Sequence, residues 1–210
     1  MIIPALLTAK RDELIQMLSV CREFTDYVQI DIMDGKFVPS MSLGLQDLEA
    51  ISPLIQSEAH LMVEEPGDWL DAFAKFGSRR IIFHVEIEND HKEIIKRIRA
   101  RNLEVGIAIN PPTQLSDFVD LCELVDVVLF MTVNPGFYGS AFVPQVLEKI
   151  KEFKRLFPRK TVGIDGGVKL ANIQQIAESG VDYICVGSAI FKAPRPKEAY
   201  LKFLKLFKKK

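Results

Sequence analysis

Short apolar runs alternate with longer amphipathic stretches along the whole chain. Runs of strand length, rich in Val, Ile and Leu, occupy about 2–8, 27–33, 58–63, 80–86, 104–110, 127–133, 161–166 and 183–188. Between them, apolar residues recur at helical spacing at about 11–24, 44–55, 67–77, 90–101, 115–123, 143–157, 171–179 and 195–208. Near-continuous apolar strands, without regular polar alternation, indicate a parallel sheet covered by helices.

Eight repeats of a strand followed by a helix predict an α/β protein with a single (β/α)8 TIM barrel, in which residues 1–210 form one domain. The rival interpretation is an open doubly wound sheet, in which a G-x-G-x-x-G turn usually follows the first strand. No such turn follows residues 2–8. Glycine-containing turns come instead after the seventh and eighth strands, where barrels often bind phosphate, so the pattern favours the closed barrel.

Composition and charge argue against several kinds of partner. The chain is 48% hydrophobic and 26% charged, and its formal net charge of -1 creates no strong field for nucleic acid or an anionic membrane. No apolar stretch has the length of a membrane span, and the first residues lack the pattern of a signal peptide. The three cysteines form no C-x-x-C pair, so we expect small core residues in a reducing, cytoplasmic setting.

Two aspartates stand in apolar runs that are far apart in the sequence. Asp31 follows Val28-Gln29-Ile30, and Asp165 follows Val162-Gly163-Ile164. A carboxylate in such a run is costly to desolvate unless a metal, a proton or a hydrogen-bond donor compensates it. The ends of barrel strands converge on one mouth, where the third strand would also bring His60. His60 alone could be a core histidine, but with both aspartates it forms a plausible ligand set for Zn²⁺, Mn²⁺ or Fe²⁺.

Other residue types near the same strand ends could bind the rest of a substrate. Glycine backbone lets N–H groups approach an anion closely, and two turns are suited to phosphate in this way: Gly166, Gly167, Gly187 and Ser188. The segment 134–142, which includes Gly136 and Gly139, has the composition of a mobile covering loop, or else of a simple connection. Three methionines are either core residues or an apolar cap over a reacting carbon: Met33, Met62 and Met131.

Five segments together resemble the ribulose-phosphate 3-epimerase family, and the resemblance extends from about residue 2 to about residue 191. The segments are D-I-M-D-G-K-F-V-P at 31–39, H-L-M-V at 60–63, M-T-V-N-P-G-F at 131–137, D-G-G-V at 165–168 and V-G-S-A-I-F at 186–191. Members of this family are (β/α)8 barrels that interconvert ribulose 5-phosphate and xylulose 5-phosphate at carbon three. Close relatives act on a ketohexose phosphate such as allulose 6-phosphate.

The resemblance implies a role for each matching residue. Asp31 and Asp165 would be the paired acid and base, and His60 would bind one divalent metal ion together with both of them. Phosphate or other substrate groups would be held by Gly136, Gly139, Gly166, Gly167, Gly187 and Ser188, and the reacting carbon would be capped by Met33, Met62 and Met131. The expected partner is a small phosphosugar, with no nucleic acid and no membrane. A homo-oligomer is compatible with this family.

The chain departs from the family pattern at several positions, above all at Gln29, Ala5 and Tyr138, which stand where histidine, serine and glycine are usual. Lys10 and Ser140 also differ, since an acid and glutamine are usual there. An amide oxygen is a weaker ligand for zinc or iron than imidazole, which leaves metal occupancy open. One alternative is therefore a non-catalytic phosphosugar-binding paralogue, or an epimerase of altered specificity for allulose 6-phosphate. Another is a related barrel lyase or decarboxylase, which would use the lysine of an Asp-x-Lys pattern where this chain has Met33.

Overall fold

The computed structural model describes residues 1–52, 54–135 and 141–207. Eight parallel strands form a closed barrel in chain order, and β1 pairs with both β2 and β8. The strands are β1 (Ile2–Leu6), β2 (Tyr27–Met33), β3 (Gln56–Met62), β4 (Ser78–His84), β5 (Glu104–Ile109), β6 (Val127–Met131), β7 (Thr161–Asp165) and β8 (Tyr183–Val186). The predicted (β/α)8 barrel is confirmed, and every strand overlaps the apolar run that predicted it.

Helices cover the outer face of the strands. They are α1 (Arg11–Cys21), α2 (Leu45–Glu49), α3 (Leu70–Phe76), α4 (His91–Arg99), α5 (Val146–Leu156), α6 (Ile173–Glu178), α7 (Ser188–Phe191) and α8 (Pro196–Phe207). The α-helix predicted over 115–123 is wrong, since this stretch forms two 3-10 turns that meet at Phe118, whose φ of -139° is not helical. The short helix α7 was not predicted, because it follows β8 after the single residue Gly187.

Alternation along β3 divides its side chains between two environments. Ala59 and Leu61 belong to the apolar layer between strands and helices, whereas Glu58, His60 and Met62 occupy the alternate positions. A second, smaller cluster fills the interior of the barrel: Ile3, Ala5, Ile82, Ala108, Val127, Leu129, Tyr183 and Cys185. The barrel therefore has a packed centre, as side-chain layers produce in this fold, and its polar inward-facing residues are buried.

Glu58 is a fully buried acid inside the barrel. It accepts hydrogen bonds from Arg80 Nη1 at 2.8 Å and from the Tyr27 hydroxyl at 3.2 Å, and Arg80 also donates to Glu104 at 2.6 Å. Its other oxygen, Oε1, has no hydrogen-bond partner among the described residues. Burial raises the pKa of Glu58 to about 7, although Arg80 and Tyr27 favour the charged form.

We expect the substitution Glu58→Gln to remove a pH dependence of the unfolding free energy. The unfolded chain releases this proton near pH 4.5, whereas the folded protein retains it to about 7, so the stability that it contributes is lost as the pH rises through 7. At roughly 1.4 kcal/mol per pKa unit, the contribution is about 3 kcal/mol. Denaturant unfolding of both proteins between about pH 5 and about pH 9 measures the difference, and parallel stability curves would contradict the assignment.

Candidate active site

A cavity opens at the mouth of the barrel, where the strands end. The site residues that the sequence predicted within the described part of the chain all line it: Asp31, Met33, His60, Met62, Met131, Asp165, Gly166, Gly167, Gly187 and Ser188. They come from the ends of β2, β3, β6, β7 and β8, which barrel closure brings together. Gly136, Gly139 and Tyr138 lie outside the described residues.

Three of these side chains meet in the cavity. Nδ1 of His60 lies 3.1 Å from Oδ1 of Asp31 and 3.4 Å from Oδ2 of Asp165. One ligand atom from each residue can be chosen so that all three lie within 4.8 Å of one another. Each aspartate is 8% exposed and His60 is 0% exposed. Two carboxylates and an imidazole that converge in this way form a possible metal site.

Gln29 links the two carboxylates directly. Its amide nitrogen donates to Oδ1 of Asp31 at 2.8 Å and to Oδ2 of Asp165 at 2.6 Å. Its amide oxygen faces the other way and accepts the Sγ–H of Cys185 at 3.0 Å. The sequence raised the amide oxygen as a weaker metal ligand than imidazole, and in this structure the amide nitrogen faces the acids instead. Carboxylates accept hydrogen bonds and do not donate them, so the side of the amide that faces them is the nitrogen.

Burial and the proximity of two acids change the protonation of the site. Burial raises the pKa of Asp31 and the nearby charge of Asp165 raises it further, while hydrogen bonds from His60 and Gln29 act in the opposite direction. Burial alone would lower the pKa of His60, but hydrogen bonds to Asp165 and Asp31 outweigh burial and raise it to about 9. The bonds from His60 and Gln29 all fall on Oδ1 of Asp31 and Oδ2 of Asp165. One oxygen of each carboxylate therefore carries these structural contacts.

His84 and Glu86 extend the network behind His60. Nε2 of His60 lies 3.1 Å from Nε2 of His84, and Nδ1 of His84 lies 3.0 Å from Oε2 of Glu86. The other oxygen of Glu86 accepts the backbone N–H of Asn110 at 2.8 Å and the Thr113 hydroxyl at 2.6 Å. Burial lowers the pKa of His84. Burial would raise the pKa of Glu86, but the hydrogen bond from His84 and the contacts with Thr113 and Asn110 lower it.

Methionines form an apolar wall beside the acids. Met33 and Met62 cluster with Val38, and Met131 stands opposite Asp165 in the β6–β7 register. All three methionines are buried and line the cavity. Unbranched thioether side chains adapt to an irregular ligand surface and bring no competing charge. This wall therefore places apolar atoms next to the two carboxylates.

The turn after β7 depends on two glycines. Gly166 and Gly167 have φ values of +105° and +62°, which other residues rarely adopt. A Cβ atom on Gly166 would also collide with the side chain of Val133. The hydroxyl of Thr132 lies 3.0 Å from the carbonyl oxygen of Asp165 and 2.6 Å from that of Gly166, which holds this turn against β6. The glycine backbone is thus exposed to the cavity in a fixed conformation.

Sequence reasoning missed several residues of the cavity wall: Leu7, Val133, Pro135, Val168 and Cys185. Cys185 is a buried free thiol, as expected for a small core residue, but it also binds the amide of Gln29. The alternation of side chains along β8 could have predicted the inward position of Cys185. Residues two apart share a face, and Tyr183 and Cys185 both point into the barrel. Nothing local in the sequence marks its contact with Gln29, since 156 positions separate the two.

Comparison with known proteins places the chain among sugar-phosphate enzymes. The model of the ribulose-phosphate 3 epimerase family matches residues 1–191. The chain belongs to the ribulose-phosphate 3-epimerase family. A ribulose-phosphate 3-epimerase of Mycobacterium leprae is 34% identical over 206 residues, which cover 95% of this chain and 91% of the relative. The cytoplasmic isoform of Oryza sativa is 34% identical over 179 residues, which cover 82% of this chain and 78% of the relative.

Solved structures extend the likeness in fold beyond this family. 3-hexulose-6-phosphate synthase from Salmonella typhimurium superposes with a TM-score of 0.72 at 16% identity, over 98% of this chain and 97% of that one. Orotidine 5'-phosphate decarboxylase from Pyrococcus horikoshii gives a TM-score of 0.69 at 16% identity, over 98% and 99% of the two chains. At such low identity the likeness concerns the barrel fold alone.

Two departures from the epimerase family pattern are neighbours at the wall of the cavity. Ala5 is the register partner of Gln29 across β1 and β2, and it lines the cavity with a methyl group where a serine is usual. Gln29 presents its amide nitrogen where the family has a histidine. At these two adjacent positions, Ala5 and Gln29, the chain therefore lacks the hydroxyl and the imidazole of the family pattern. The three possible ligands Asp31, His60 and Asp165 are present.

We expect the substitution Gln29→His to tighten zinc binding. The amide nitrogen of Gln29 has no lone pair for a metal, whereas imidazole would add a further donor beside the three possible ligands. The Kd for Zn²⁺ should fall about tenfold or more, which competition with a chromogenic chelator measures. Gln29→Leu removes the amide without adding a ligand and is the matched control. Equal affinities of the wild type and Gln29→His would count against this geometry.

Proposed function

We propose that this protein is a ribulose-phosphate 3-epimerase, an isomerase that interconverts D-ribulose 5-phosphate and D-xylulose 5-phosphate by inverting carbon 3. The observation that carries the proposal is the convergence of Asp31 and Asp165 with His60 in one cavity of a barrel that belongs to this family. Inversion next to a ketone requires a base on one face of the carbon and an acid on the other. Two carboxylates from different strands provide that pair.

The proposed reaction moves one proton off carbon 3 and another onto it. One carboxylate removes the proton from one face, and the electron pair of the C–H bond moves toward the ketone to give an enediolate. The other carboxylic acid then delivers its proton to the opposite face of carbon 3. After the forward reaction the base is protonated and the acid is ionised, which is the state that the reverse reaction needs. Return of that proton from one aspartate to the other, between Asp31 and Asp165, restores the starting state. Their pairing with Gln29 and His60 fixes both side chains before substrate binds.

Asp31, His60 and Asp165 would hold one divalent metal ion, and this donor set fits Zn²⁺, Mn²⁺ or Fe²⁺. A bound ion would polarise the ketone and stabilise the negative charge that develops on its oxygen. It would also offset the repulsion between the two carboxylates. Gln29 would not help to hold the ion in its present orientation, because its amide N–H group faces the acids.

The rest of the substrate would bind along the glycine turns and the methionine wall. Backbone N–H groups after β7 and β8 are the proposed phosphate cradle, formed by Gly166, Gly167, Gly187 and Ser188. The family resemblance adds Gly136 and Gly139, which lie outside the described residues. The apolar cap over carbon 3 would be Met33, Met62 and Met131, whose side chains would keep water from the enediolate.

A second candidate function is a phosphosugar-binding paralogue without turnover, or an epimerase for allulose 6-phosphate. Two departures from the family pattern support it. Gln29 donates a hydrogen bond to Asp31, and Ala5 lies beside Gln29 in the β1–β2 register. A lyase or decarboxylase has less support. Among the described residues that line the cavity none is a lysine, and Met33 occupies the position that an Asp-x-Lys pattern would give to lysine.

The proposed partner is a small phosphosugar, with no nucleic acid and no membrane. Within the described ranges, no helix has both the length and the apolar character needed to cross a bilayer. A cytoplasmic setting is part of the proposal, and the name of the rice relative specifies a cytoplasmic isoform. Assembly into a homo-oligomer stays a prediction, which size-exclusion chromatography with light scattering would test.

Asp31→Asn and Asp165→Asn should each abolish epimerisation, because an amide cannot exchange a proton at neutral pH. We expect the formation of deuterated xylulose 5-phosphate from ribulose 5-phosphate in D₂O to fall about a thousandfold or more, because inversion needs both carboxyl groups. Proton NMR of the recovered sugar measures it. Asp71→Asn, at an exposed aspartate paired with Arg101, is the control and should retain full exchange. Full activity in both active-site variants would overturn the assignment.

Metal removal should separate the epimerase from the non-catalytic paralogue. We expect chelator-treated protein to lose deuterium exchange with ribulose 5-phosphate and to regain it with added Zn²⁺, Mn²⁺ or Fe²⁺, because a bound ion would supply the charge stabilisation that proton removal needs. The same assay on allulose 6-phosphate reports substrate preference through kcat/KM. Protein that binds ribulose 5-phosphate but exchanges no proton with any of the three ions would instead favour the paralogue.

A further inference from the structure

The hydrogen bonds behind His60 have a direction that is set at Glu86. The backbone N–H of Asn110 can only donate, and it lies 2.8 Å from Oε1 of Glu86. The hydroxyl of Thr113 donates to the same oxygen at 2.6 Å. A carboxyl group that receives two such bonds is stabilised as the carboxylate, which is an acceptor at both oxygens. Nδ1 of His84, 3.0 Å from Oε2, therefore carries the proton of that bond.

This direction continues through His84 to His60. A neutral imidazole has one donor and one acceptor nitrogen, so His84 with its proton on Nδ1 presents a lone pair at Nε2. That atom lies 3.1 Å from Nε2 of His60, and a hydrogen bond forms there when His60 donates. The reverse direction would require a cationic ring at His84, which is 0% exposed and stacked beside a second imidazole.

The consequence falls on the other nitrogen of His60. In this structure Nδ1 of His60 donates to Asp31 and Asp165 at 3.1 and 3.4 Å, and a metal ion would displace that proton. The neutral ring that results keeps its proton on Nε2 and has its lone pair on Nδ1. Only this tautomer offers a metal-binding atom in the cavity. Neighbouring rings hold the arrangement, since the ring centroid of His84 is 4.8 Å from that of Phe37 and 5.2 Å from that of His60.

We propose that His84 and Glu86 are positioning residues that fix the proton of neutral His60 on Nε2 and so direct Nδ1 to the metal. The inference deepens the proposed function, because it rests on the metal site assigned there. It adds residues that touch neither the metal nor the substrate in that assignment. A histidine ligand whose other nitrogen is held in this way is more basic and better oriented, and loss of such a partner typically weakens metal binding 10–100-fold.

Glu86→Gln tests the direction of the hydrogen bonds. In the variant the amide oxygen is expected to keep the bonds from Asn110 and Thr113, so the amide nitrogen turns toward Nδ1 of His84 and donates. His84 must then carry its proton on Nε2. There its N–H group would point at the N–H group on Nε2 of His60, and the two would repel each other. The proton of neutral His60 moves to Nδ1 and blocks the metal-binding atom. We expect the Kd for Zn²⁺ to rise about tenfold or more.

The histidine tautomers provide a readout that does not depend on activity. The chain has three histidines, so two-bond ¹⁵N–¹H spectra of protein labelled at histidine are simple to assign. In the metal-free wild type we expect His84 to be neutral with its proton on Nδ1. In Glu86→Gln we expect the proton of His84 to be on Nε2. Thr113→Val keeps the carboxylate and should keep the wild-type tautomer. His91→Gln removes the histidine whose side chain binds the Val85 carbonyl, and it should leave zinc affinity unchanged.

Specific results would overturn the proposal. A wild-type His84 with its proton on Nε2 would do so without any variant, even if Glu86→Gln failed to fold. Unchanged tautomers, or an unchanged Kd for Zn²⁺, in a folded Glu86→Gln protein would do the same. Wild type with the expected tautomer and zinc affinity, but without deuterium exchange at carbon 3, would support the positioning role while the epimerase assignment failed.

Discussion

Two carboxylates held face to face inside a closed barrel are the constraint on which this site depends. Asp31 and Asp165 are each 8% exposed, so water does little to screen their repulsion. The protein compensates with N–H donors from Gln29 and His60 that reach both acids. Because these bonds share one oxygen of each acid, structural support and proton transfer can use different atoms of the same carboxylate. Fixing the pair in this way suits it to the two-sided proton transfer that we propose.

The position of this pair follows from rules that a sequence can express. Parallel strands in a closed barrel end at a common mouth, so an acid near the end of β2 and another at the end of β7 must approach one another. Alternation then indicates that His60 and Met62 face inward with them, while Ala59 and Leu61 face the helices. These rules need only periodicity and the order of strands. They predicted the barrel and the residues of the site without any knowledge of individual contacts.

Other features depend on contacts that no local pattern encodes. Gln29 binds Asp165 across 136 positions and Cys185 across 156, and these two contacts decide which end of its amide faces the acids. Burial of Glu58 was equally hidden, because a polar residue near the start of a strand resembles a solvated strand end. The 3-10 turns at 115–123 arose where apolar spacing suggested a helix, since the residues around Phe118 follow local capping instead. Tertiary contacts therefore decide the first two features, whereas a local cap decides the third.

Gln29 stands where the family has a histidine, and this difference changes how the negative charges of Asp31 and Asp165 are balanced. The two acids themselves are retained. An imidazole at this position could bind a metal, whereas the amide nitrogen donates hydrogen bonds to both carboxylates. Hydrogen bonds to charged groups contribute about 1.5–3 kcal/mol each. A metal ion that binds Asp31 and Asp165 must therefore compete with these bonds or turn the amide around, and turning it would bring the amide N–H to Cys185, whose sulfur accepts only weakly. The substitution should thus weaken the hold on the ion while the acid–base pair keeps its geometry.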